Sequence, residues 1–147
     1  MTPEELNKFV MSAEDFARLK ERAKRDLEYD WDTAAEKCRR VSSIYQDWLD
    51  VYNRESAKFI VLDIEKDKLY GKLYKEYRFE SNLKFDSNKE IESQIKCDPE
   101  WVKLSAASSK QKLVVDYLQD TLGNINRLSF SIKNFIEIMK VRGGFGL

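Results

Sequence analysis

From Trp101 onward one register of alternating three- and four-residue steps runs to Met139. It reads Trp101, Leu104, Ser108, Gln111, Val115, Leu118, Leu122, Ile125, Ser129, Ile132, Ile136 and Met139. Its only polar members, Ser108, Gln111 and Ser129, are uncharged, and a flanking row adds Ala106, Leu113, Tyr117, Leu128 and Phe135. That period belongs to an amphipathic helix, and the stripe is wider than a two-stranded seam needs, so the helix should have neighbours on more than one side. Asp98-Pro99 marks its start, with Asp as cap and Pro at the first position, and Gly143-Gly144 marks its end. Gly123-Asn124 would suit a turn, but the register passes through unbroken, which favours one helix.

A second long pattern precedes it. Between about Thr33 and Tyr77 no proline intervenes, and Tyr45, Trp48, Tyr52, Phe59, Leu62, Leu69 and Leu73 recur at helical steps. This predicts one long amphipathic helix, or two meeting near Asn53. Gly71 weakens its last turns by about 1 kcal/mol relative to alanine without ending it. Upstream, Thr2-Pro3-Glu4-Glu5 is a capping box opening a short helix to about Met11, and Ser12 opens another with Phe16, Leu19, Ala23 and Leu27 on one face. Tyr29-Asp30-Trp31-Asp32 reads as a break, with Asp32 or Thr33 capping the long helix. Helical periodicity fails from Arg78 to Asp86, and Phe79, Leu83 and Phe85 suggest a loop or small hairpin near 79–86. Ser87 then caps a short helix to about Lys96.

The expected fold is therefore mostly α: an elongated helical protomer with two long amphipathic helices, divided into an N-terminal helical part, 1–97, and a C-terminal helix and tail, 98–147. Burying one large apolar side chain contributes roughly 1.5–3 kcal/mol, so a stripe of about fourteen is not left in water. Short N-terminal helices offer too little surface to cover both long ones, and self-association is the resulting expectation.

Composition supports helices over sheets: 42% of the 147 residues are hydrophobic and 35% charged, with five glycines and two prolines. The formal net charge is zero, so attraction to nucleic acid or acidic membranes must come from local patches. Cys38 and Cys97 stand far apart without a metal-site spacing and read as reduced small hydrophobes in a cytoplasmic protein. The acidic start is unlike a signal peptide, and the longest aliphatic or aromatic run, Phe59 to Leu62, is far short of the ~20 residues that span a bilayer. No membrane is therefore expected as a partner.

Chemistry is sparse. The chain has no histidine, which removes the usual general base and the commonest metal ligand. It contains no phosphate-binding loop, nucleophile elbow or zinc motif. Carboxylate pairs such as Glu4/Glu5 and Glu90/Glu92 fit solvated helix faces. The reading is a non-enzyme with no cofactor and no metal.

One cluster stands out. Lys68, Lys72 and Lys75 fall at i, i+4 and i+7 within a narrow sector of one helix, and Tyr70, Tyr74 and Tyr77 repeat that spacing on the opposite side. Two accounts fit: an ordinary helix with a tyrosine/leucine packing face and a lysine solvent face, or a row that tracks the phosphates of a nucleic-acid strand without reading its bases. Tyrosines on the far side cannot stack on a strand held by the lysines, except where the helix unravels or a neighbouring subunit contributes. The last helix is also basic (Lys103, Lys110, Lys112, Arg127, Lys133, Lys140, Arg142), partly through pairing between adjacent turns.

Short matches in a fixed order then point to a family. The stretch Val115-Asp-Tyr-Leu-Gln-Asp…Asn126-Arg127-Leu-Ser-Phe-Ser-Ile132-Lys133-Asn134-Phe-Ile136-Glu, the segment Asp47-Trp48-Leu49-Asp50-Val51-Tyr52-Asn53 leading to Lys72-Leu-Tyr-Lys75-Glu-Tyr77, and the acidic piece from Lys89 to Glu100 resemble the UvsY recombination mediators of T-even-like and cyanobacterial phages. The resemblance spans roughly residues 40–142. It departs from the family where the basic helix ends, in Tyr77-Arg78-Phe79-Glu80 in place of a Tyr-Tyr-Thr/Ser-Gly ending. It implies a protein that binds single-stranded DNA through its basic N-terminal part. Such a protein assembles through C-terminal helices as a ring, a hexamer or heptamer, and helps a phage recombinase replace the single-strand-binding protein. Carried over, Lys72 and Lys75 match the DNA-contact segment, Lys68 begins the row and Arg78 extends it, while Val115, Leu118, Leu122, Ile125, Ile132, Ile136 and Met139 supply oligomer contacts. The competing expectations are a helical scaffold that binds no DNA and an adaptor whose stripe docks another protein's helix.

Overall fold

The computed structural model describes residues 1–80 and 85–143, and among them every regular element is helical. The order is α1 (Pro3–Asn7), α2 (Ala13–Leu27), α3 (Ala34–Lys75), a π-helical turn (Glu76–Glu80), α4 (Asn88–Cys97), α5 (Pro99–Asn126) and α6 (Leu128–Gly143). None of these is long and apolar enough to cross a membrane.

The caps explain where the helices start. The Thr2 hydroxyl accepts the Glu5 amide at 3.2 Å while the Glu5 carboxylate accepts the Thr2 amide at 2.9 Å, closing the expected box. Ser12 caps α2 by accepting the Asp15 amide at 3.1 Å. Asp98 caps α5 by accepting the Glu100 amide at 3.0 Å. At the head of α3 the capping carboxylate is Asp30, not Asp32 or Thr33. Its Oδ1 accepts both the amide and the hydroxyl of Thr33, at 2.9 and 3.0 Å, and Thr33 Oγ1 accepts the Asp30 amide at 2.9 Å. Those bonds favour the charged form and lower the Asp30 pKa, the Thr33 amide contributing most.

Two expectations about the long helices resolve in opposite directions. α3 is one helix of 42 residues, with no interruption near Asn53. The C-terminal pattern is two helices, because Arg127 forms a single-residue turn between α5 and α6. The turn keeps the backbone paired: the Arg127 amide donates to Gly123 O at 3.3 Å and the Ser131 amide to Arg127 O at 2.9 Å. The stripe therefore continues on the same side, which is why periodicity hid the break. Phe79 and Glu80 belong to the π-helical turn and Phe85 is non-helical, while 81–84, the centre of the expected hairpin or loop, lie outside the described residues.

The chain packs as two compact units, Met1–Met11 with Glu55–Val114, and Ser12–Arg54 with Val115–Leu147. Each draws on both sides of the 1–97/98–147 division read from the sequence, because α3 and α5 contribute to both. In the first unit Leu73, Ile91 and Ile95 form a core closed by Leu69, Tyr70, Tyr74, Tyr77, Phe85 and Trp101. A buried polar network belongs to the same unit. Gln111, wholly buried, donates to Glu55 O at 3.0 Å and Glu55 Oε2 at 2.8 Å, and its Oε1 accepts the Met11 amide at 2.9 Å. In the second unit Ala34, Leu128 and Ile132 are covered by Leu27, Tyr29, Cys38, Val41, Phe135 and Ile136. Trp48 is buried there too, its Nε1 donating to Asp26 at 2.8 Å, with the Arg22 guanidinium 4.7 Å from its ring. Cys38 is half-buried and Cys97 exposed, and both are free thiols.

Candidate nucleic-acid interface

The last turns of α3 present two opposite faces. Leu69, Tyr70, Leu73, Tyr74 and Tyr77 turn inward on Ile91, Ile95 and Trp101. Tyr70 meets Trp101 edge to face at 5.8 Å and stacks on Tyr74 at 6.5 Å. Burial, aided by the charge on Glu92, raises the Tyr70 pKa. The Tyr77 hydroxyl donates to Asp98 Oδ2 at 2.8 Å, and this bond, then burial, raises its pKa. Asp98 thus holds the start of α5 with one oxygen and the end of the tyrosine row with the other.

The outer face carries Lys68, Lys72 and Lys75, all exposed. Lys68 pairs with Glu65 at 3.3 Å and Lys72 with Glu76 at 3.9 Å, both within α3 or one residue past it. Exposed pairs of this kind contribute ~0–1 kcal/mol and yield readily to a stronger anion. Lys75 has no ion pair among the described residues. The structure therefore brings three of the four expected DNA-binding side chains into one row on a helix anchored from behind. Arg78 differs: its Nη1 donates to Asn88 Oδ1 at 2.9 Å, the same oxygen that accepts the Tyr74 hydroxyl at 3.0 Å. Its guanidinium is engaged in tying the π-helical turn to α4.

Sequence reading missed a neighbour of the row. A hollow of about 500 Å³ has Leu6, Leu69 and Leu104 among its lining, with Lys68, Lys72 and Lys103 contributing positive charge and Glu65 and Glu100 negative. Lys103 comes from α5, which places a third cation beside two of the row. Nothing local signals this, since α1, α3 and α5 meet there from distant parts of the chain. Among the described residues no cluster of carboxylates or thiols could hold a metal ion.

The seam residues also have definite places. Leu118, Ile125 and Ile132 are fully buried and Leu122 nearly so, while Val115, Ile136 and Met139 are half-buried. The protomer itself thus covers four of the seven, contrary to the expectation that short helices offer too little cover. The apolar groups left outward on α6 are Phe130, Ile138 and Val141, at 68%, 56% and 80% exposure. They sit at i, i+8 and i+11 and form a second row that the dominant stripe obscured.

A family model described as "Recombination, repair and ssDNA binding protein UvsY" matches residues 22–145. Crystal structures of the recombination mediator protein UvsY of bacteriophage T4 share the fold. One lattice form superposes with a TM-score of 0.74 at 15% identity, covering 86% of this chain and 98% of that one. A second gives 0.73 at 17% identity, with 90% and 98% covered. A third gives 0.70 at 15%, with 85% and 98% covered. No curated protein matches the chain in sequence.

Proposed function

The chain belongs to the UvsY family, and from that premise we propose that it is a non-enzymatic recombination mediator. It binds single-stranded DNA and helps a phage recombinase replace the single-strand-binding protein. The observation that carries the reading is the row of Lys68, Lys72 and Lys75, exposed on α3 while the opposite face is locked into the tyrosine core. Lysines on a stiff helix meet phosphates without reading bases, which suits a protein that must act on any sequence. Lys103 adds charge beside them.

A single row binds weakly, so the reading includes assembly of several copies, which multiplies affinity through effective concentration. The outward row Phe130, Ile138 and Val141 offers the surface for that assembly, while half-buried Ile136 and Met139 lie on the opposite, core-facing side of α6. Leu118, Leu122, Ile125 and Ile132 support it from within.

The test is anisotropy of a labelled oligonucleotide across a salt series. Each lost lysine contact should reduce the slope of log K against log salt by about 0.7, so Lys72→Glu with Lys75→Glu should weaken binding and flatten the dependence. Unchanged binding by that variant would remove the row from the site. Mediation itself is read by recombinase assembly on strands coated with single-strand-binding protein, which should speed up when the wild-type chain is added.

A further inference from the structure

Phe79 is 73% exposed, although it lies directly past a helix whose other aromatic residues pack inward. An isolated exposed apolar side chain is ordinary on a protein surface; its placement here is not. Counted from Lys68, the positions Lys72, Lys75 and Phe79 fall at i+4, i+7 and i+11. The ring thus ends the lysine row, within roughly a quarter turn of it once the wider π-helical turn is allowed for. Tyr70, Tyr74 and Tyr77 lie on the opposite face and are held by Trp101 and Asp98, so they cannot reach a strand on the lysines. The departure from α-helical winding at Glu76–Glu80 occurs where an aromatic ring turns outward. The guanidinium of Arg78 lies 5.8 Å from the Phe79 ring centre, setting positive charge beside the ring while Asn88 restrains the arginine.

We propose that Phe79 is a stacking platform for one base of the single strand whose phosphates Lys68, Lys72 and Lys75 hold; this rests on the proposed DNA-binding function. A ring and a cationic row divide the work. Stacking accepts any base because every base has a π-face, and the lysines take the backbone. The consequence is a site that prefers an unpaired strand over a duplex, whose bases are already stacked on one another.

The two contributions separate in solution. Phe79→Ala should weaken binding of an oligo-dT strand by about 5- to 100-fold and leave the salt slope at the wild-type value, since no phosphate contact is lost. A strand of equal length made of abasic sugar-phosphate units should bind the wild type and Phe79→Ala equally. Phe79→Trp should retain affinity and show quenching of its added fluorescence by oligo-dT, beyond that of the native tryptophans, but not by the abasic strand. That readout holds even if the alanine variant folds poorly. Equal oligo-dT affinity for wild type and Phe79→Ala, or a similar loss on both strands, overturns the stacking role and leaves the DNA-binding function standing. Failure of the wild type to bind either strand at low salt overturns both.

Discussion

Gln111 stands where the stripe of α5 asks for an apolar side chain, and Glu55 supplies the reason. The Glu55 carboxylate is 1% exposed and is held by the Gln111 amide at 2.8 Å and by Lys58 at 3.0 Å. A buried carboxylate that loses a donor keeps its desolvation cost. Gln111→Leu should therefore destabilise the protein by about 2–4 kcal/mol in urea unfolding, despite improving the apolar pattern. Adding Glu55→Leu should recover part of that loss, because both ends of the interaction are then gone; a double variant less stable than the single would refute this account. Tyr77 gives a pH signature. Its phenol donates to Asp98, so only the neutral form keeps the bond, and its folded pKa lies above the unfolded value of 10.0. The contribution is present in full below that unfolded pKa and is lost as pH rises through the folded one. Tyr77→Phe should cost about 0.5–1.5 kcal/mol near neutrality. The stability gap to wild type should stay constant up to about pH 10 and narrow only as pH rises beyond it, and a gap unchanged there would show the hydrogen bond to be irrelevant.

At the scale of elements, most of the chain was legible because its signals are local. Thr2, Ser12 and Asp98 accept the amides that cap residues should, and the unbroken apolar rhythm from Thr33 onward is one helix. What local signals missed is also physical. The turn at Arg127 preserves the phase of the stripe, and a Cβ at Gly123 would meet only the Arg127 guanidinium at 3.9 Å, so no backbone need for glycine marks the break. The lysine row could be read from one helix, but Lys103 joins it only because α1, α3 and α5 converge. Phe79 escaped because helical periodicity stops short of it. Gly71 is the test at this scale: a Cβ there would meet nothing within 4 Å. Gly71→Ala should therefore stabilise α3 by about 0.5–1 kcal/mol, read as a higher urea midpoint with unchanged m-value. A loss of stability instead would mean that α3 needs the glycine's freedom.

At the scale of the molecule, folding and the proposed assembly draw on different apolar residues. Leu118, Ile125, Leu128 and Ile132 are spent on folding the protomer, and the outer row on α6 is the surface assigned to a second copy in the proposed function. The two sets of residues should fail in different ways. Ile132→Ala opens a cavity in the cluster with Ala34 and Leu128 and should cost about 2–5 kcal/mol of protomer stability. Phe130→Glu with Ile138→Glu touches exposed positions, so helical circular dichroism and the unfolding midpoint of the protomer should be kept while the mass by light scattering falls towards that of one chain. If the strand is held by several rows at once, the same double variant should also lose DNA affinity, though every lysine and Phe79 remain in place. An unchanged mass would exclude the outer row of α6 as the assembly surface. A fallen mass with undiminished DNA affinity would show that one protomer's row is sufficient.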